Sequence, residues 1–114
     1  MIRTTIKAGV CGFRTTVKAR SDDMQNVTLE IESDCEKIRG VAEGLHTPID
    51  AYQEIGAGFD GEVYKVVLSR LKGCCAGCVV PCGIFKTVQV AGAVALPAPV
   101  TIDIERVDER WPTP

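Results

Sequence analysis

The sequence predicts an α+β domain with elements in the order β-β-β-α-α-α-α-β, a mostly antiparallel four-stranded sheet with helices packed on one face. Three observations predict it. Apolar and polar residues alternate through the first third of the chain, the period of a half-buried strand. After Ser33 the apolar spacing becomes helical. The alternation then returns at Val100, Ile102 and Ile104. A length of 114 residues is one domain, 1–114, with 109–114 read as a loose tail.

In the first strand Ile2, Thr4, Ile6, Ala8 and Val10 share one face, opposed by Arg3, Thr5 and Lys7. Phe13, Thr15, Val17 and Ala19 repeat the pattern, as do Val27, Leu29 and Ile31. Gly9 and Gly12 mark the first turn and Ser21-Asp22-Asp23 the second, giving a three-stranded meander. Ser33-Asp34-Cys35-Glu36 has the form of a capping box, which predicts that the Ser33 hydroxyl accepts from the Glu36 N–H. Ile38, Val41, Ala42 and Leu45 continue that helix. Thr47-Pro48 reads as an N-cap and first-turn proline of a second helix through Ile55. Asp60 is the expected cap of a third, with Val63, Val67 and Leu71 on one side and Gly73 at its end. A cysteine loop follows and runs into a fourth helix, whose apolar stripe is Ile84, Phe85, Val88, Ala91, Gly92 and Ala95. Pro97 and Pro99 stop it, and Val100–Arg106 is the expected last strand, paired within the N-terminal sheet.

Aromatic residues make up 5% of the chain, so the core must be built from Val, Ile, Leu and Ala. A net charge of −2 supplies no general attraction for nucleic acid or anionic lipid. Neither a leader nor a bilayer-spanning run stands out, because the longest apolar stretch, Val90 to Ala98, is short and holds Pro97. The expected location is the cytoplasm, where cysteines are reduced thiols, ligands or redox centres. The charge is uneven: residues 1–21 are basic up to Arg20, while Asp103, Glu105, Asp108 and Glu109 lie near the other end. Two neighbouring strands with matched outer faces account for this, and a docking face for an acidic partner is the alternative.

The six cysteines are where chemistry is expected. Thiolates are soft donors that select zinc, copper(I) or iron–sulfur clusters. Cys75-x-x-Cys78 lets two sulfurs face one centre from a tight loop, and Cys82 follows about one helical turn later. Cys11 falls in the first turn and Cys35 at a helix start, where the dipole and free N–H groups favour a thiolate. The candidate metal ligands are therefore Cys11, Cys35, Cys75, Cys78 and Cys82; adjacent Cys74 is the most dispensable. Two other readings compete: a thiol-redox protein using Cys75 and Cys78, and an interaction module whose cysteines are small buried hydrophobes. His46, the only histidine, fits a surface position after a helix better than a ligand position. No phosphate-binding glycine loop, nucleophilic serine motif or second histidine completes a catalytic set.

Three patches resemble the U-type iron–sulfur assembly scaffolds, the IscU and NifU N-domain family. Val10-Cys11-Gly12 is similar to that family's cysteine turn between strands. Ile31-Glu32-Ser33-Asp34-Cys35 is similar to its strand leading into a cysteine at a helix start, and Cys82-Gly83-Ile84-Phe85 to its third cysteine helix. The resemblance loosely covers residues 4–96. It implies Cys11, Cys35 and Cys82 as cluster ligands, and a cysteine desulfurase and an iron–sulfur acceptor protein as partners. Phe13 stands where the family has aspartate and Pro81 where it has histidine, while Cys74, Cys75 and Cys78 are additional. Extra thiols suit a permanently bound iron–sulfur cluster or zinc. The meander topology independently predicts that Cys11 and Cys35 emerge at one end of the sheet, and a fourth helix laid on the sheet through Ile84, Val88 and Ala91 brings Cys82 to that end, so the three converge on one site.

Overall fold

The computed structural model describes residues 1–108. Strands β1 (Ile2–Lys7), β2 (Arg14–Arg20) and β3 (Asn26–Ser33) form the antiparallel meander. Helix α1 (Glu36–Gly44) follows, then a two-residue strand β4 (Ile49–Asp50) and helices α2 (Ala51–Ala57), α3 (Glu62–Arg70) and α4 (Val80–Ala91). The sheet order is β1-β2-β3-β4, so the α+β class and four-stranded antiparallel sheet are as expected.

The meander forms because its register keeps two chemistries on opposite faces. Thr4, Val17 and Ile31 lie side by side, as do Ile2, Ala19 and Leu29; Val17 and Ala19 are fully covered by the helices. On the other face Arg3, Lys18 and Glu30 line up, and Lys7 stands opposite Arg14. The first turn needs left-handed backbone at Gly9 and Gly12, with φ of 86° and 73°, and closes through the Gly12 N–H to the Gly9 carbonyl at 2.9 Å.

The fourth strand is a correction. It lies at Ile49–Asp50, pairing with Asn26 and Val27, and not at Val100–Arg106, which pairs with no strand among the described residues. Ile49 is buried in this arrangement, whereas Ile102 and Ile104 are 64% and 92% exposed. Alternation reports a side-chain pattern but not a partner. The acidic strand that relieves the basic face of β2 is β3, through Glu30 beside Lys18 and Glu32 beside Thr16.

Three expected caps also move. Ser33 belongs to β3, where its hydroxyl shares a 2.7 Å hydrogen bond with buried Thr15 and accepts the Cys35 N–H at 3.0 Å; Cys35 is the N-cap of α1. Helix α2 begins after Asp50, which accepts from the Tyr52 and Gln53 N–H groups, because Ile49 is held in the sheet. Asp60 does not cap α3: its N-cap is Gly61, and the missing acceptor comes from Glu54 of α2, which takes the Glu62 and Val63 N–H groups at 3.0 and 2.7 Å.

Helix α4 lies across β1 and β2, with its N-terminus at the hairpin end of the sheet. Gly83 allows the approach, since a Cβ there would collide with Ile6 Cδ1. One turn on, the Thr87 hydroxyl bonds Thr4 at 2.6 Å, and Gly92 meets Ala51 at the other end. Ile84 and Val88 supply the buried stripe, as expected, but the helix ends at Ala91, well before Pro97. Residues 73–91 are apolar enough in composition for a membrane span. The regular helix within them has 12 residues, however, about 18 Å against a hydrocarbon core of about 30 Å. The main core joins Ile6, Val17, Ile38, Val41, Ile49, Val63, Val80 and Ile84. The tail 109–114 lies outside the described residues.

Candidate cysteine site

All six cysteines are free thiols and none is buried. Cys11, Cys74 and Cys82 are exposed, whereas Cys35, Cys75 and Cys78 are half-buried and pack against the main core.

The fold brings their backbones to one end by three independent routes. The β1–β2 turn holds Cys11. Because β3 runs antiparallel to β2 and pairs Ser33 with Thr15, the chain leaves the sheet beside that turn, and the Asp34 N–H donates to the Arg14 carbonyl at 3.1 Å. Cys35 follows at once. The packing of Gly83 on Ile6 sets the α4 N-terminus, with Cys82 in its first turn, over the same end. The connection from α3 makes a 3₁₀ turn at Gly73–Gly77, held by Cys75 N–H to Lys72 carbonyl and Cys78 N–H to Cys75 carbonyl bonds of 3.2 and 3.1 Å. Gly73 supplies its left-handed entry, with φ of 63°.

Cys78 follows this turn, half-buried against the main core. Burial pushes its thiol above the ordinary range; the Val80 N–H, donating to its sulfur at 3.5 Å, opposes the rise, and nearby Cys11, Cys35 and Cys75 add to it. Cys11, at the β1–β2 turn, and Cys35, at the start of α1, thus lie at the same end of the sheet although they are far apart in sequence. Cys82 lies in the first turn of α4, the helix whose Phe85 ring packs on Tyr64 of α3. Burial raises the Tyr64 hydroxyl's pKa, and Cys82 raises it further. The Tyr64 ring sits between Phe59 and Phe85, at centroid distances of 4.9 and 5.7 Å. Among the described residues, no three Cys, His, Asp or Glu side chains form a closed ligand set in this conformation. His46 is exposed and lines a groove with Asp50, Glu54, Asp60 and Glu62, apart from the thiols.

Lys37 is a site residue that sequence reasoning missed. Its ammonium donates to Cys75 Sγ at 3.3 Å. That hydrogen bond and the attraction of Cys75 raise the lysine above its ordinary value, with smaller contributions from Cys35 and Cys74. A signal existed: a lysine in the first turn of a helix opposes the helix dipole, so an anionic partner is the natural reason to find one there.

No curated protein and no solved structure matches the chain. One family model does, over residues 2–104, and it spans the sheet, all four helices and every cysteine. This chain belongs to that family, the family of unknown function DUF6951.

Proposed function

We propose that the cysteine end of this protein binds a metal through thiolates, as zinc or an iron–sulfur cluster, and that the protein serves as a scaffold or carrier for it. The observation that carries this reading is that the β1–β2 turn with Cys11, the start of α1 with Cys35 and the start of α4 with Cys82 all lie at one end of the sheet. Soft donors in that number select soft or borderline metals. Cys11, Cys35, Cys75 and Cys78 would hold the metal, and their thiolates would supply the soft donors it needs. Cys82, in the first turn of α4, is the further donor that the scaffold resemblance assigns. If the cargo is a cluster, the chemistry requires a sulfur donor such as a cysteine desulfurase, an acceptor protein and a reducing compartment.

The Lys37–Cys75 contact favours a second reading, thiol–disulfide chemistry at Cys75 and Cys78, because a cation beside sulfur stabilises the attacking thiolate in such proteins generally.

Purification without oxygen, followed by iron, zinc and acid-labile sulfide analysis, separates the two. Brown protein with iron and sulfide establishes a cluster, and colourless protein with stoichiometric zinc establishes the other metal. Metal-free protein that forms a reversible Cys75–Cys78 disulfide overturns the proposal in favour of redox chemistry.

A further inference from the structure

Strand β1 is an edge. The Ala8 N–H bonds the Phe13 carbonyl at 3.1 Å, which fixes the hydrogen-bonding alternation of the hairpin. Residues 2, 4, 6 and 8 therefore spend their backbone groups on β2, and Arg3, Thr5 and Lys7 point theirs away from the sheet. Such an edge is a template for another strand. Its outer face is also electrostatically unbalanced, since Arg3 stands opposite Lys18 and Lys7 opposite Arg14.

After α4 the chain turns back, and residues 95–100 form the far wall of a groove of about 550 Å³ whose other walls are Ile2–Thr5 of β1 and Gly83, Lys86 and Val90 of α4. Val100 is the last residue to line it. Beyond it the chain leaves the body, and Ile102, Ile104 and Val107 are 64%, 92% and 60% exposed. Residues 93–108 contain no glycine with which to reverse tightly into the same groove. This arm alternates Val100, Ile102 and Ile104 with Thr101, Asp103 and Glu105.

We propose that the arm of one copy adds as a strand to the free edge of β1 in a second copy, and that the exchange is reciprocal, giving a two-fold dimer. In that position the arm's apolar residues continue the face of Ile2, Thr4 and Ile6 toward α4. Asp103 and Glu105 then fall on the face of Arg3 and Lys7, and relieve the like-charge pairs across β1 and β2. The partner is a second copy of this chain, because the two surfaces match in periodicity and in charge. This proposal is independent of the metal reading.

Light scattering coupled to size-exclusion chromatography, at about 100 μM protein so that micromolar association is visible, tests it. The parent is expected to be a dimer and the chain ended at Ala98 a monomer. Asp103→Lys with Glu105→Lys raises the dimer dissociation constant at least about tenfold, because each exchange turns attractive cross-strand pairs into repulsive ones. Arg3→Glu with Lys7→Glu does the same, and combining all four substitutions restores association. Thr5→Pro removes an outward donor without taking a bond from β2 and also gives monomer. A monomeric parent, a dimer that survives loss of the arm, or charge reversals without effect each overturns the proposal.

Discussion

Glu54 controls the start of a helix to which it does not belong. Its side chain is 3% exposed, and both carboxylate oxygens accept N–H groups from the first turn of α3. Gly61, the N-cap position, has no side chain to do this. Hydrogen bonds to a charged acceptor contribute about 1.5–3 kcal/mol each, and loss of a helix cap costs about 0.5–2 kcal/mol, so Glu54→Ala should cost about 2–4 kcal/mol. With an unfolding entropy of about 2.1 cal/mol/K per residue, each kcal/mol corresponds to about 4 °C for a 114-residue chain, so Tm falls by about 8–16 °C. Glu54→Gln keeps one acceptor but turns an amide N–H₂ toward a backbone donor, and should fall between the two. Gly61→Ser gives a sharper test. A Cβ at Gly61 would stand 2.8 Å from the Glu54 carboxyl, so serine destabilises the parent despite being a preferred cap residue. In the Glu54→Ala background the obstruction is gone and serine supplies the missing acceptor, so the same substitution becomes stabilising by a few tenths of a kcal/mol. Urea unfolding of the four proteins measures this cycle. An unchanged sign of the serine effect, or a Glu54→Ala cost below about 0.5 kcal/mol, would refute the assignment of Glu54 as the cap.

Three other outcomes follow from the geometry. Under the metal proposal, Cys78→Ser abolishes retention of metal through anaerobic purification while Cys74→Ser keeps it; equal losses would show that Cys74 is a ligand. The Lys37 pKa is raised by Cys75, so the contact stabilises the fold fully below the lysine's unfolded value of 10.5 and is lost as pH rises through the higher folded value; an NMR titration should show the Lys37 midpoint falling in Cys75→Ala, and an unmoved midpoint would remove Lys37 from the site. Asp23 accepts N–H groups from Asn26 and Gln25 in the β2–β3 turn, and those bonds hold its carboxyl well below the usual carboxylate range. Its contribution is therefore present above the unfolded value of 3.8 and lost as pH falls through the lower folded value, so Asp23→Asn should flatten the acid limb of stability against pH.

The meander was legible because both faces of its strands carry information: Val17 and Ala19 on one side and Lys18 and Arg20 on the other leave one register. Helices α1 and α4 were legible for the same reason, through Ile38 and Val41 and through Ile84 and Val88. The element that misled was Val100–Arg106, whose alternation is as clean as that of β1 but whose partner is not determined by the chain before it. Ile49–Asp50 was invisible for the opposite reason: two residues are too few to show a period, and only their pairing with Asn26 and Val27 makes them a strand. At the cysteine end, the common placement of Cys11 and Cys35 followed from meander topology. Lys37 and Glu54 did not, because each acts on an element other than its own.

The Thr15–Ser33 hydroxyl pair has a consequence for how quickly the cysteine end can respond. Buried Thr15 fixes the Ser33 hydroxyl at 2.7 Å, and Ser33 in turn clamps the Cys35 N–H at 3.0 Å. The Cys35 backbone is thus tied to the interior of the sheet while its thiol is half-exposed. Cys11 is similarly tied by its closed hairpin turn, and Cys82 by a helix seated on Ile6. Any regrouping of these three sulfurs then involves single-bond rotations against a static frame, motions of picoseconds to nanoseconds for accessible side chains. The stretch carrying Cys75 and Cys78 hangs on two turn hydrogen bonds of 3.2 and 3.1 Å, so moving its backbone breaks fewer bonds than unseating β3 or α4 would.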